Sequence, residues 1–339
     1  MVYVMSAGLI APRPSRASSG LLLAFALIVP LTSGSQESQQ RTSTPNSADA
    51  LFQSAGASLA QGKYKEAEEA FHKVYELEPT NLRGIVGVAR VYIAQNRTDE
   101  AIQLLQAEAK KNPTRLDYRV AIGDVAMLAA KYDLALEQYL MVLKHVGADS
   151  NRAGDLYLHI GEAYLGKGEI DFSLIFLRQA KELLPRNGKV LGTLGLALAS
   201  AGQKDAAALE YRAALDVDPN AGETLNNLAF LLADDGSDLD AALAYAQRAK
   251  QLLPNSLAVA DTLGWVYLKN NKTEEAIVIL HDVVQKDPAK SAYRYHLAVA
   301  LEQKGDHSAA KKELMTALND NPSKHEEQTI KELLQKVGK

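Results

Sequence analysis

The 339-residue chain is 47% hydrophobic and 23% charged, ordinary for a folded soluble protein, and only 6% aromatic, which favours packed helices over sheets. Lys and Arg number 37 against 41 Asp and Glu, a net charge of -4 with no long basic block, so the electrostatic footprint of nucleic-acid binding is missing. There is no cysteine, which excludes disulfides, thiolate nucleophiles, cysteine metal sites and a lipid anchor on an N-terminal cysteine.

The first predicted element is a leader. Arg13 and Arg16 precede the apolar run Gly20 to Leu31, and the small or polar residues Thr32, Ser33, Gly34 and Ser35 follow. That layout predicts a secretory signal over residues 1–35, cut near Ser35, with export to the periplasm or cell envelope of a bacterium. The apolar core is shorter than the roughly 20 residues that cross a bilayer, so membrane contact is expected only if the N-terminal segment stays uncleaved. Residues 36–47, QESQQRTSTPNS, hold no hydrophobic residue and are expected to be a disordered linker.

From residue 48 onward the chain repeats. Small residues recur at Ala67, Ala101, Ala135, Ser173, Ala207, Ala242, Ala276 and Ala310, with steps of 34, 34, 38, 34, 35, 34 and 34. A second series, Ala55, Ala89, Gly123, Gly161, Gly195, Ala229, Gly264 and Ala298, keeps the same period. A third consists of Pro79, Pro113, Pro185, Pro219, Pro254, Pro288 and Pro322. Small residues suit positions where helices cross closely, and proline ends a helix. Gly62, Gly168, Gly202 and Gly305 suit a left-handed cap between paired helices.

This pattern resembles the tetratricopeptide repeat. The segment 188–221 shows it well, with Leu194, Gly195, Leu198, Gly202, Ala207, Tyr211, Ala214 and Pro219 at family positions. The resemblance implies an all-α fold: a right-handed superhelical solenoid of about eight helix-turn-helix repeats, at 48–81, 82–115, 116–149, 154–187, 188–221, 222–256, 257–290 and 291–324. A last helix, with Ile330, Leu333 and Leu334 on one face, is expected to cap the end over 325–339. The third repeat lacks its proline and carries about four extra residues, Ser150 to Ala153, which predict a longer helix or a bulged loop. The sixth has one extra residue between Ala233 and Ala242.

No catalytic motif is present: there is no phosphate loop, paired-histidine zinc helix or nucleophile elbow. Neither a metal nor a cofactor is expected. His159 and Glu162, three apart on one helix, share a face but lack further ligands, and read as a polar inner-surface pair. Asn96-Arg97-Thr98 and Asn271-Lys272-Thr273 fit a glycosylation pattern that the bacterial character of the chain sets aside.

The resemblance also implies a concave groove lined by the first helix of each repeat. Its inward positions fall on Phe52, Gln53, Val86, Arg90, Val120 and Asp124, then on Leu158, His159, Glu162, Thr193 and Leu196. The last repeats place Asn226, Asn227, Phe230, Asp261, Thr262, Trp265, Tyr295, His296 and Val299 there. The first eight of these last residues are the candidate partner-binding site, because asparagine can hold an extended backbone and aromatics supply energy at binding hot spots. Phe230 and Trp265 could equally fill space between neighbouring first helices. The family's carboxylate clamp is not expected, since Asp261 and Tyr295 stand where basic residues would be needed. The function expected from all this is a non-catalytic scaffold that binds a protein or peptide in the groove, in envelope assembly or export. The rival is an enzyme accessory or substrate-binding subunit, with His159, Glu162, Asp261 and His296 as its titratable groups. Self-association is a third possibility.

Overall fold

The structure is a computed structural model that describes residues 47–147 and 150–337. The predicted leader and all of the predicted linker except Ser47 lie outside these residues, and Ser47 is a helix cap whose hydroxyl accepts from the Ala50 amide at 3.2 Å. The described residues form helices α1 to α17 with no strand among them, in two compact units, 47–147 and 150–337.

The first unit holds three antiparallel pairs: α1 (Ala48–Ala60) with α2 (Tyr64–Leu77), α3 (Arg83–Ala94) with α4 (Thr98–Lys111), and α5 (Asp117–Leu128) with α6 (Tyr132–Leu143). The second holds five pairs and a closing helix. They are α7 (Asn151–Lys167) with α8 (Ile170–Leu183), α9 (Gly188–Ser200) with α10 (Lys204–Val217), and α11 (Gly222–Asp235) with α12 (Leu239–Leu252). Then come α13 (Leu257–Lys269) with α14 (Thr273–Lys286), α15 (Ser291–Lys304) with α16 (His307–Asn319), and α17 (Lys324–Val337).

One device makes every hairpin. The turn within each pair passes through a single left-handed residue: Gly62, Asn96, Ala130, Gly168, Gly202, Gly236, Asn271 and Gly305, with φ between 53° and 89°. In seven of the eight the residue that follows closes the turn by reaching back to the preceding helix, as when Arg97 N donates to Tyr92 O at 2.8 Å and Lys131 N to Ala126 O at 2.8 Å, whereas the α11–α12 turn is held by Gly236 N on Leu232 O at 2.9 Å. Glycine was expected at four of these positions. Asn96 and Asn271 fill the same role, because asparagine tolerates the left-handed region better than other side chains do. That geometry accounts for both Asn-x-Thr sequences.

Small residues let the paired helices touch. Ala55, Ala67, Ala89, Ala101, Ala135, Ser173, Ala207, Ala242, Ala276 and Ala310 are all fully buried. A Cβ added at Gly195 would lie 2.7 Å from the ring of Tyr211, itself one of the largest fully buried side chains. In the third repeat α6 ends at Leu143 after 12 residues, where α2 and α4 have 14, and the four extra residues fall after it. They extend the next helix at its start: α7 opens at Asn151 and runs for 17 residues, capped by the Ser150 hydroxyl on Ala153 N at 3.1 Å. The last helix seals the end by burying Ile330 against Ala298, Leu314 and Ala317.

Within each unit a second helix packs on the next first helix, and consecutive first helices also touch one another. The first helices therefore lie on the inner side of the stack and the second helices on the outer side, within each unit taken by itself. Of the first-helix neighbours, α11 and α13 approach most intimately. All the candidate partner-binding residues sit on α11, α13 and α15.

Candidate functional site

The eight candidate residues come together as a layer, not as an open surface. Asn226, Phe230, Asp261, Thr262, Trp265 and His296 are buried, at 0–7% exposure, and only Asn227 and Tyr295 keep substantial solvent contact. The exposure implied by the resemblance does not hold for these six residues. The first helices lie so close that a side chain pointing inward from one is roofed by the next.

The layer has two parts. Its aromatic part is a stack across three helices: Phe230 of α11, Trp265 of α13 and His296 of α15. The Trp265 ring lies 6.4 Å from Phe230 at 25° and 4.6 Å from His296 at 34°. Tyr295 meets His296 edge-on at 5.9 Å, and Lys269 places Nζ 4.8 Å above the Trp265 ring. Phe230 and Trp265 thus do fill space between neighbouring first helices. Lys269, one helical turn after Trp265, was missed in the sequence, although an i, i+4 pair on one face was there to be read.

Its polar part is less settled. Asp261 and His296 bond to each other, with Nδ1 at 2.8 Å from the carboxylate. The Asn226 amide makes a long contact of 3.5 Å with Asn227 Oδ1, and the Asn227 side chain also hydrogen-bonds Tyr211. Asn226 Oδ1, Thr262 Oγ1 and Trp265 Nε1 are buried and have no hydrogen-bond partner among the described residues. Leaving such atoms unpaired costs about 1–3 kcal/mol each, so native proteins rarely tolerate them without a reason.

A second polar cluster lies at the start of the same unit. Glu162 is bridged by Lys189 Nζ at 2.9 Å and by His159 Nδ1 at 3.5 Å. Burial pushes the Glu162 carboxyl up, but the His159 hydrogen bond and the Lys189 charge outweigh it and hold the group below its ordinary range. Lys189, near the start of α9, was not among the inward residues named from the sequence. No group of three or more His, Cys, Asp or Glu that could hold a metal occurs among the described residues.

The comparisons with known proteins agree with this architecture. The tetratricopeptide repeat family models match residues 58–123 and 267–334 and, separately, 193–256, together more than half of the chain. The chain belongs to the tetratricopeptide repeat family. Its repeats are those of a protein-interaction scaffold. A chain of the APC/C hetero-tetramer Cut9–Hcn1 superposes with a TM-score of 0.67 at 16% identity, over 86% of this repeat protein and 56% of that chain. A relative from Bos taurus, described as BBSome complex member BBS4, is 25% identical over 138 residues. That match takes in 41% of this chain and 26% of the bovine protein, so each resembles the other over a part only. Among the described residues no helix is long and apolar enough to cross a membrane.

Proposed function

We propose that this repeat protein is a non-catalytic scaffold that holds a protein or peptide partner on the inner, first-helix side of the unit 150–337. The observation that carries this reading is the set of three unpaired polar atoms, Asn226 Oδ1, Thr262 Oγ1 and Trp265 Nε1. They include acceptors and a donor, which is what an extended peptide backbone requires of a surface. Asn227 and Tyr295 are the accessible edge of the same layer, and Lys269 adds a cation beside it. A partner that engages the edge would draw the unpaired atoms into use by a small parting of α11 from α13. The bovine relative is described as a member of a complex, which accords with a scaffold role here.

The test is a photo-crosslinking amino acid placed at Asn227 or Tyr295, with Glu69 on the outer side of the other unit as control. The partner recovered from the inner positions is then titrated against the Asn227→Ala and Tyr295→Ala proteins, whose melting temperatures are measured in parallel. Loss of affinity at unchanged melting temperature supports the reading. Equal crosslinking from Glu69, or affinity that only follows melting temperature, sinks it.

The same reading places the scaffold in a bacterial periplasm or cell envelope, doing its work in assembly or export. Arg13, Arg16 and the apolar run Gly20 to Leu31 support that placement. Mass spectrometry of the N-terminus in fractionated cells tests it; an intact leader in the cytoplasmic fraction would refute export.

A further inference from the structure

The outer side of the unit 150–337 carries a pattern that the inner-side reading does not use. On α8, Asp171, Ile175 and Arg178 stand at i, i+4 and i+7, so they share one face, and all three are exposed. On α10, Asp205, Leu209 and Arg212 repeat the same order at equivalent positions, again all exposed. Ile175 is 49% and Leu209 65% exposed, and the middle row continues to Val278 on α14, at 70%. The acidic row continues too, through Asp240 of α12 and Glu274 of α14. In the unit 47–147 the equivalent middle positions are Glu69, Gln103 and Glu137, so the apolar row belongs to one unit alone.

The charges have a local explanation in part. An acid in the first turn suits the positive end of the helix dipole. The dipole does not explain an isoleucine and a leucine left in water at the same point of neighbouring helices. Nor are the arginines held within the chain: neither Arg178 nor Arg212 forms an ion pair among the described residues, whereas Glu274 does, with Lys304 at 2.9 Å.

The order acid, apolar, base decides what fits it. Turned over about a two-fold axis that runs along the rows, the surface presents base, apolar, acid. We propose that this outer face pairs with a second copy of the chain, with each second helix antiparallel to its counterpart. Asp171 then meets Arg178 of the second copy, and Asp205 meets Arg212. Ile175 and Leu209 lie on the axis and meet themselves, as an isologous contact requires. A two-fold axis across the rows would set acid against acid, so only one arrangement is complementary. The apolar area is small, so the dimer is a weak one. It leaves the inner side of each copy open to partners.

Sedimentation equilibrium of the full chain reads this out. The native protein is expected to show a monomer–dimer equilibrium, and Leu209→Glu to weaken it by a hundredfold or more, on the order expected for a charge buried at an interface centre. Asp171→Arg with Asp205→Arg gives a face with base at both ends, and Arg178→Glu with Arg212→Glu gives one with acid at both. Each alone is expected to be monomeric, and an equal mixture to form a heterodimer. Because the chain has no cysteine, Leu209→Cys treated with oxidised glutathione, which takes up the two electrons, is expected to form an intermolecular disulfide across the axis, and Gln103→Cys in the other unit is not. All these positions are exposed, and circular dichroism checks that each variant folds. A native chain that stays monomeric, a dimer indifferent to Leu209→Glu, or failure of the two charge variants to associate on mixing would each overturn the proposal.

Discussion

The imidazole of His296 and the carboxylate of Asp261 form a closed pair between α15 and α13, with Nδ1 2.8 Å from one carboxylate oxygen and 2.9 Å from the other and both side chains at most 1% exposed. A buried polar pair contributes little when intact, but removing one member is expensive because the other is left in a poor environment. Asp261→Ala is therefore expected to destabilise the unit 150–337 by about 3 kcal/mol, and Asp261→Asn, which keeps an acceptor, by less. Urea unfolding of the two variants beside the native chain decides it. Equal stability of Asp261→Ala and the native chain would show that the pair has no structural role.

A gain in stability is available at Ala130. It holds φ at +53° in the turn between α5 and α6, where the other hairpins use glycine or asparagine. A Cβ there is strained by roughly 1–2 kcal/mol, part of which glycine's looser unfolded chain takes back. Ala130→Gly should stabilise by about 0.5–1 kcal/mol, seen as a raised denaturant midpoint at unchanged slope. A lowered midpoint would count against the strain.

Close helix crossing is tested at Gly84, in the first turn of α3. A Cβ there would stand 2.5 Å from the backbone nitrogen of Tyr75 and 2.7 Å from its Cα, so α2 itself would have to move. Gly84→Ala is expected to cost about 2 kcal/mol despite alanine's better helix propensity. The melting temperature should fall accordingly; a rise would mean that the two helices part freely.

The pH dependence follows from Glu162. Its carboxyl ionises more readily in the folded protein than its ordinary value of 4.5. Such a group adds stability above its unfolded-state pKa and loses it as pH falls through the lower folded-state pKa. The native chain should therefore weaken as pH drops below about 4.5, and Glu162→Gln should weaken less over the same range. Thermal melts from neutral pH down to about pH 3 make the comparison, and parallel curves for the two proteins would refute it.

Much of the fold was legible because its causes are local. The 34-residue step, the alanines at helix crossings and the glycines at turns each act within one hairpin or between neighbours, so they leave a periodic trace in the chain. What was not legible within the hairpins had a local substitute: Asn96, Asn271 and Ala130 occupy a left-handed turn position where glycine was the expected sign. The extra residues from Ser150 to Ala153 were visible as an insertion, but their place at the start of α7 depended on Ser150 finding an amide to cap.

The candidate site divides at the same boundary. The chain by itself determined that Asn226 shares a helix face with Phe230, and Asp261 with Trp265, since direction follows from the 3.6-residue turn of each helix. Only the tertiary structure decided that they are buried, that Asp261 closes on His296 and that Asn227 and Tyr295 remain at the edge. Direction is a property of one helix, whereas exposure depends on how near its neighbours lie, and that distance is set by the side chains of several repeats packing at once.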